Sequence, residues 1–203
     1  MIATSDFLKD FNALFPGYAS LAPWELTGLA EKIISGQITT LDDSYIIHGN
    51  TAVHRTATIE EGAILKAPYI ISANCFVAAH AYLRNGVFVG AGTSIGPSAE
   101  IKASFIMQNS VIAHINFIGD SIIGSNVNFE AGALTANHYN ERPDKRISVL
   151  HKGVIYVTGK DKFGSVVGDN CKIGANAVLS PGTLLLPGTT VNRLELIDQL
   201  NNN

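Results

Sequence analysis

Large aliphatic side chains recur at every sixth position through the middle of the chain. The side chain four positions after each of them is small or β-branched in eight of ten cases. Neither an α-helix, with a period of about 3.6 residues, nor an ordinary strand, with a period of about two, has this spacing. The aliphatic series is Val53, Ile59, Leu65, Ile71, Val77, Leu83, Val89, Ile95, Ile101 and Met107.

A period of six predicts a triangular coil in which each hexapeptide supplies one short strand and one corner. Three hexapeptides make a turn of about 18 residues, so residues that far apart stack on one face. The aliphatic residue points inward, and the small residue fits the corner. Each coil buries its core only against its neighbours, so several coils must stack. The pattern therefore predicts an all-β fold of stacked parallel coils over residues 44–192.

The repeat slips once and then resumes. Met107 and Ile123 are 16 residues apart, two fewer than three hexapeptides require. The two cysteines, Cys75 and Cys171, both fall at the small corner position, which predicts packing residues and no disulfide framework. The resumed series is Ile123 and Phe129, then Val167, Ile173, Leu179, Leu185 and Val191.

Three segments lie outside this pattern. Residues 1–43 carry two apolar stripes, with Pro23 at the start and Gly36 past the end of the second, and predict a helical cap over the open edge of the first coil. Residues 138–162 are a polar insertion with a predicted hairpin at His151-Lys152-Gly153. Residues 193–203 predict a short C-terminal helix and a tail, from the spacing of Leu194, Ile197 and Leu200. The stripes of the first segment are Phe7, Leu8, Phe11, Leu14 and Phe15, and then Leu26, Leu29, Ala30, Ile33 and Ile34.

Charge and composition narrow the class of protein. Lys and Arg total 14 against 17 Asp and Glu, which gives no basic field for nucleic acid. No basic segment precedes an apolar core at Met1, so no secretory signal is predicted. The longest uncharged stretches, 67–83 and 103–119, contain polar residues and are short for a membrane span. We expect a soluble cytoplasmic protein.

Cations stack on one predicted face. Lys66, Arg84 and Lys102 are 18 residues apart and all follow an inward aliphatic residue. One interpretation is a solvated face balanced by Glu60, Glu61 or Glu100. The other is an anion site, in which arginine suits a bidentate phosphate contact and lysine neutralises charge.

His114 differs from the other five histidines because it lies at the slip in the repeat. A histidine near its ordinary pKa of about 6.5 can act as a general base at neutral pH. His138 is the next candidate. No two histidines have the spacing of a zinc enzyme built on such coils, so we expect no metal.

Residues 82–191 resemble the acetyltransferase half of the bifunctional glucosamine-1-phosphate acetyltransferase/N-acetylglucosamine-1-phosphate uridyltransferases. The spacing of the matching polar residues agrees from Arg84 to Asn137 without a gap. This resemblance implies a left-handed parallel β-helix of hexapeptide repeats, assembled as a homotrimer. The matching motifs are Leu83-Arg84, Glu100-Ile101-Lys102, His114 with Gly119-Asp120, Asn126-Val127-Asn128, Ala131-Gly132, Asn137 and Lys162-Phe163-Gly164-Ser165.

The resemblance also implies roles for individual residues. His114 is the base that accepts a proton from the attacking group, Glu100 orients it, and Asn128 positions substrate or water. Acetyl-CoA, or an acyl carrier, is the expected co-substrate and approaches the backbone at Ala131 and Ala175. A sugar phosphate or nucleotide sugar is the expected acceptor, and its binding residues are Arg84, Lys102, Phe117, Asn137 and Lys162.

The chain departs from that family at several positions. Phe117 replaces a tyrosine, and the insertion is about 19 residues longer than its family counterpart. The chain also resembles UDP-N-acetylglucosamine O-acyltransferases, which use an acyl-carrier donor. A non-catalytic trimeric module that binds sugar phosphates is the remaining alternative.

Overall fold

The structure, a computed structural model, describes residues 2–200 as a β-solenoid of stacked parallel coils. Each coil contributes a short strand to three faces, here named A, B and C. The strands Tyr82–Val89 and Glu100–Ile106 turn the corner from face A to face B without a break. No helix in residues 2–200 is long and apolar enough to cross a membrane.

The three faces are defined by their strands. Face A holds Ile64–Leu65, Phe117–Gly119, Leu134–Thr135, Val178–Leu179, Leu196–Ile197 and the first halves of the two long strands. Face B holds Thr51–His54, Tyr69–Ile71, Ile122–Ile123, Ser165–Val167, Thr183–Leu185 and the second halves. Face C holds Thr58–Ile59, Phe76–Val77, Ser94–Ile95, Val111–Ile112, Asn128–Phe129, Lys172–Ile173 and Thr190–Val191.

The inward aliphatic residues form one continuous core, as the six-residue pattern predicts. Both cysteines lie in this core as free thiols, and burial raises the pKa of each. Their Sγ atoms lie 3.1 Å from the carbonyl oxygen of Gly90 and 3.2 Å from that of Leu186. The corner role predicted for Cys75 and Cys171 is confirmed.

The slip in the repeat consists of two one-residue deletions at the corner between faces A and B. Val89 pairs with Ile106, and Ile106 pairs with Ile123, each 17 residues apart. The inward residue is therefore Ile106, and the prediction for Met107 is wrong. Asn85 and Gly86 form this corner in one coil, whereas Ala103 alone forms it in the next.

The N-terminal segment lies along face B and does not cap the first coil. Its helices are α1 (Phe11–Leu14), α2 (Pro23–Gly28) and α3 (Ala30–Ile38), with 3-10 turns at Thr4–Asp6 and Pro16–Tyr18. Pro23 begins α2 as predicted, but Gly36 lies inside α3. On face B, the free edge of the first coil is covered by the antiparallel strand Tyr45–His48, paired with Thr51–His54.

The outward residues of face B explain this placement. They are apolar in successive coils, and the stripes of α1 and α3 bury against them. Phe15 stacks edge-on against Phe88 and Phe105 at 5.1 and 5.2 Å between ring centroids. Covering a whole apolar face removes more surface from water than covering one coil end does. The outward apolar residues are Ala52, Ile70, Phe88, Phe105, Ile122, Val166 and Leu184.

The insertion and the C-terminal segment both contain strands. The insertion contains a hairpin of Ser148–His151 and Val154–Val157, turning at Lys152 and Gly153 as predicted. The predicted C-terminal helix is wrong, because Leu196–Ile197 is a strand paired with Val178–Leu179. Ile197 lies six residues after Val191, so it continues the repeat. The part of the tail predicted at 201–203 lies outside the described residues.

Candidate active site

His114 projects from the corner between faces C and A. It follows the strand Val111–Ile112 and precedes Phe117–Gly119. The residue is exposed, and within residues 2–200 no side chain or backbone group is hydrogen-bonded to its ring. Its carbonyl oxygen accepts a hydrogen bond from the Gly132 N–H at 2.9 Å, which fixes the backbone while leaving the imidazole free.

Glu100 and Arg84 form an ion pair on face A. The guanidinium donates from Nε at 2.8 Å and from the NH2 nitrogen at 2.6 Å to the same oxygen, Glu100 Oε1. Glu100 is paired across the strands with Phe117, one coil further on. No hydrogen bond joins Glu100 to His114 among the described residues, so its predicted orienting role is not carried by a direct contact.

Lys102 has a carboxylate partner that the repeat spacing does not predict. Its Nζ lies 2.5 Å from Oδ2 of Asp120, and the amide of Asn137 donates to that same oxygen. The predicted stacking of the cations is confirmed by the pairing of Arg84 with Lys102. Both cations are thus neutralised by carboxylates, Glu100 and Asp120.

Lys66, the third stacked cation, is exposed and makes a different contact. Its Nζ lies 5.2 Å from the centroid of the Tyr82 ring, and Arg84 Cζ lies 5.7 Å from the same centroid. Glu60 was one of the expected counterions of these cations. Its carboxylate instead accepts the Ala79 N–H at 2.8 Å and does not bind Lys66, Arg84 or Lys102.

Gly119 lets two predicted substrate residues converge on face A. A Cβ at this position would lie 2.6 Å from Cζ of Phe117 and 2.7 Å from Nδ2 of Asn137. Only glycine leaves room for both groups at this separation. Phe117 and Asn137 therefore share one patch with the Lys102–Asp120 pair.

The base of the insertion closes beside this patch. The N–H of Phe163 donates to the carbonyl of Asn137 at 3.1 Å, which places the exposed Lys162 next to the site. Nδ1 of His138 lies 3.1 Å from the carbonyl oxygen of Asp161. Nε2 of the same ring lies 3.4 Å from Nζ of Lys145. Both ring nitrogens are occupied, so His138 is less available than His114 to act as a base.

The predicted cofactor residues stack on the corner that carries His114. Ala131 and Ala175 follow it in successive coils, joined by the hydrogen bonds of Gly132 N–H to His114 and of Asn176 N–H to Ala131. Asn128 is exposed on face C, paired with Val111 in the coil of His114.

A cleft of about 490 Å³ opens on face C beside these residues. Asn128, Lys172 and Arg193 line it together with Glu130. Glu130 accepts the Ala175 N–H at 2.8 Å and Arg193 Nε at 2.8 Å, and the hydrogen bond from Arg193 lowers the pKa of Glu130 to about 2. In residues 2–200 no group of three or more His, Cys, Asp or Glu is placed to hold a metal ion.

Comparisons with known proteins find one matching family and several similar proteins. Residues 66–158 match the family described as the GMPPB C-terminal domain. A bifunctional sugar-1-phosphate nucleotidylyltransferase/acetyltransferase of Sulfurisphaera tokodaii is 32% identical over 182 residues, covering 84% of this chain and 45% of that protein. Bifunctional protein GlmU of Methanococcus maripaludis is 46% identical over 180 residues, which cover 87% of this chain and 43% of that protein. Bifunctional protein GlmU of Methanococcus vannielii is 39% identical over 103 residues, which cover 50% of this chain and 24% of that protein. The chain thus spans less than half the length of these relatives.

Proposed function

We propose that this chain, a β-solenoid homologous to GlmU-type bifunctional proteins, is an acetyl-CoA-dependent acyltransferase that acts on an amino-sugar phosphate or nucleotide sugar. The observation that carries the proposal is the position of His114. Its free, exposed ring stands on the edge between the polar patch of face A and the cleft of face C. A base at that edge reaches an acceptor on one side and a donor on the other.

The chemistry assigned to His114 is proton transfer. The amine or hydroxyl of the acceptor attacks the thioester carbonyl, forming a C–N or C–O bond while the C–S bond breaks. His114 accepts the proton from the attacking group and returns it to the departing thiolate. The donor supplies only the thioester acyl group, and Asn128 in the neighbouring coil is assigned the positioning of substrate or water.

The donor fits the cleft on face C. Its volume of about 490 Å³ lies in the usual range for a small-molecule site, and Lys172 provides a cation for phosphate groups. Ala131 and Ala175 are small, so a ligand can approach the backbone at their corner.

The acceptor fits the patch on face A. Arg84 and Lys102 are assigned to its phosphate, and Asn137 and Lys162 to phosphate or sugar hydroxyls. Phe117 provides an apolar ring face, on which sugar C–H groups pack.

A homotrimer would complete these sites. Ile115, next to His114, is 72% exposed in the single chain, and Val111 on face C is exposed as well. Large apolar side chains at the edge of a polar site mark a surface for a second copy. The neighbouring subunit would then close the donor and acceptor sites from outside.

The replacement His114→Ala tests the proposal. We expect a folded protein whose turnover falls by roughly 10²–10⁴-fold, because the attacking group loses its base. Turnover is measured by release of free thiol from acetyl-CoA, with hexosamine phosphates and UDP-hexosamines as acceptors.

The matched control is His138→Ala, which removes a histidine whose ring nitrogens already have partners. It should retain most of the turnover. Near-normal turnover in His114→Ala would refute the assignment. Binding of acceptor without any turnover in the unaltered protein, with acetyl-CoA or an acyl carrier, would favour the non-catalytic module.

A further inference from the structure

The carboxylate of Asp120 is fixed by both adjacent coils. Oδ2 accepts from Lys102 Nζ at 2.5 Å and from the amide of Asn137. The Asp120 N–H donates to the carbonyl of Lys102 at 2.8 Å, and its own carbonyl accepts the Gly164 N–H at 2.9 Å. The side chains of Lys102 and Asp120 are only 14% and 10% exposed, so water screens their interaction little.

A cleft of about 440 Å³ leads to this pair from the junction of α2 and α3. Asn85, Lys102 and Asp120 line it on the solenoid side, and Glu31 and Lys32 of α3 line the opposite side. An anion that enters meets the ammonium of Lys102 only with the carboxylate of Asp120 beside it. Repulsion between the two anions offsets the attraction of the cation.

We propose that Asp120 is a specificity-determining residue, which excludes free inorganic phosphate from Lys102 and admits a phosphorylated sugar. Inorganic phosphate near neutral pH offers only its one or two P–OH groups to the carboxylate, and its charge lies directly against Asp120. A sugar phosphate carries hydroxyl groups that donate to Asp120 while its phosphate binds Lys102. This inference rests on the proposed function, because it takes Lys102 as a phosphate ligand.

The test is calorimetric titration of the full chain with inorganic phosphate and, separately, with a hexosamine 1-phosphate. Asp120→Asn should bind inorganic phosphate roughly tenfold more tightly, because the competing charge is removed. Discrimination between the two ligands should fall accordingly. In the double variant with Lys102→Ala the gain should disappear, because the ammonium that the loss of the carboxylate would free is also removed.

Asp169→Asn is the matched control. Its carboxylate also lies at a coil corner, but it accepts backbone N–H groups, from Ser125 at 2.7 Å and from Lys9 at 2.9 Å. Its loss should leave phosphate affinity unchanged. If Asp120 has a purely structural role, Asp120→Asn should instead lower the affinity for both ligands.

Asparagine suits this position because Asp120 has φ 47, in the left-handed region where asparagine is well tolerated. Asp120→Gly is the second variant, since glycine adopts this conformation and removes the carboxylate entirely. Unchanged or weaker phosphate binding in both variants, or failure of both to fold, would overturn the proposal. If Lys102→Ala leaves the hexosamine phosphate affinity unaltered, the phosphate site of the proposed function is wrong instead.

Discussion

At the scale of single residues, Glu130 joins three successive coils. Glu130 follows the strand Asn128–Phe129 in one coil. Its carboxylate accepts the Ala175 N–H in the next coil and binds the guanidinium of Arg193 in the coil after that. Such a contact replaces water at an exposed backbone N–H and ties the corners together beside the cleft on face C. The pKa of Glu130, about 2, records that the charged form is favoured.

The stability of the protein should therefore depend on pH through Glu130. The folded-state pKa lies below the ordinary value of 4.5, so the contribution is complete above that value and is lost as pH falls towards about 2. Glu130→Gln should lower the urea midpoint at neutral pH, and the difference from the original protein should shrink below pH 4.5. The effect should be small because the pair is exposed.

Glu60→Gln controls for this measurement. Glu60 likewise accepts a backbone N–H, that of Ala79, but no cation within residues 2–200 pairs with it. If the urea midpoints of Glu130→Gln and the original protein differ by the same amount across the whole pH range, the ion-pair explanation is contradicted.

The sequence predicted the cations of the patch and offered Glu100 as a counterion, but it did not predict the partner of Lys102. Arg84 and Lys102 follow from the 18-residue spacing, which any regular coil preserves. The pairing of Asp120 with Lys102 could not be predicted from the repeat. Asp120 has a left-handed backbone conformation at the corner that is one residue shorter, and this conformation turns its carboxylate towards Lys102. The available signal was the interval of five residues, in place of six, between Ile118 and Ile123.

At the scale of elements, the aromatic residues under the N-terminal segment hold it on face B. Phe15 is fully buried and contacts the rings of Phe11, Phe88 and Phe105. The apolar stripes of this segment were visible in the sequence. Their target was not, because the inward residues dominate the six-residue pattern and hide the second apolar series on the outside of face B.

Phe15→Ala should destabilise the protein by about 3–5 kcal/mol, through lost burial and the cavity that remains. Leu14→Ala, at the adjacent position and 36% exposed, should cost far less. Denaturant unfolding followed by circular dichroism measures both, and limited proteolysis should release the N-terminal segment earlier in Phe15→Ala. Equal costs for the two variants would show that the segment is held elsewhere.

At the scale of the whole molecule, the N-terminal segment decides which faces remain open. Face B is covered by the chain itself, so the solenoid faces left open to a further copy are A and C, where His114 and its neighbours lie. The sequence predicted the coil from local spacing alone. It could not predict which face is open, since that depends on contacts between residues more than 70 positions apart, such as Phe15 and Phe88.

Light scattering should give a mass of about three times 21.6 kDa for the unaltered protein. Ile115→Asp should shift this towards the monomer, because a carboxylate at the proposed contact is costly to bury. The far-ultraviolet circular dichroism should stay unchanged, since Ile115 is exposed in the single chain.

Ile155→Asp is the control for assembly, because Ile155 is 61% exposed on the hairpin of the insertion, away from His114. It should leave the trimer intact. A stable monomer in the unaltered protein would remove the basis for sites shared between subunits.

The reversed strand Tyr45–His48 bears on how the protein behaves when crowded. Stacked parallel coils end in a row of unpaired backbone groups, and such an end is a template for fibre growth. Tyr45–His48 runs antiparallel to its neighbour, so a second solenoid that meets the first coil at its face B edge does not find the parallel hydrogen-bond pattern that its own coils require. The reversed strand therefore disfavours end-to-end stacking of solenoids along the face B edge of the first coil.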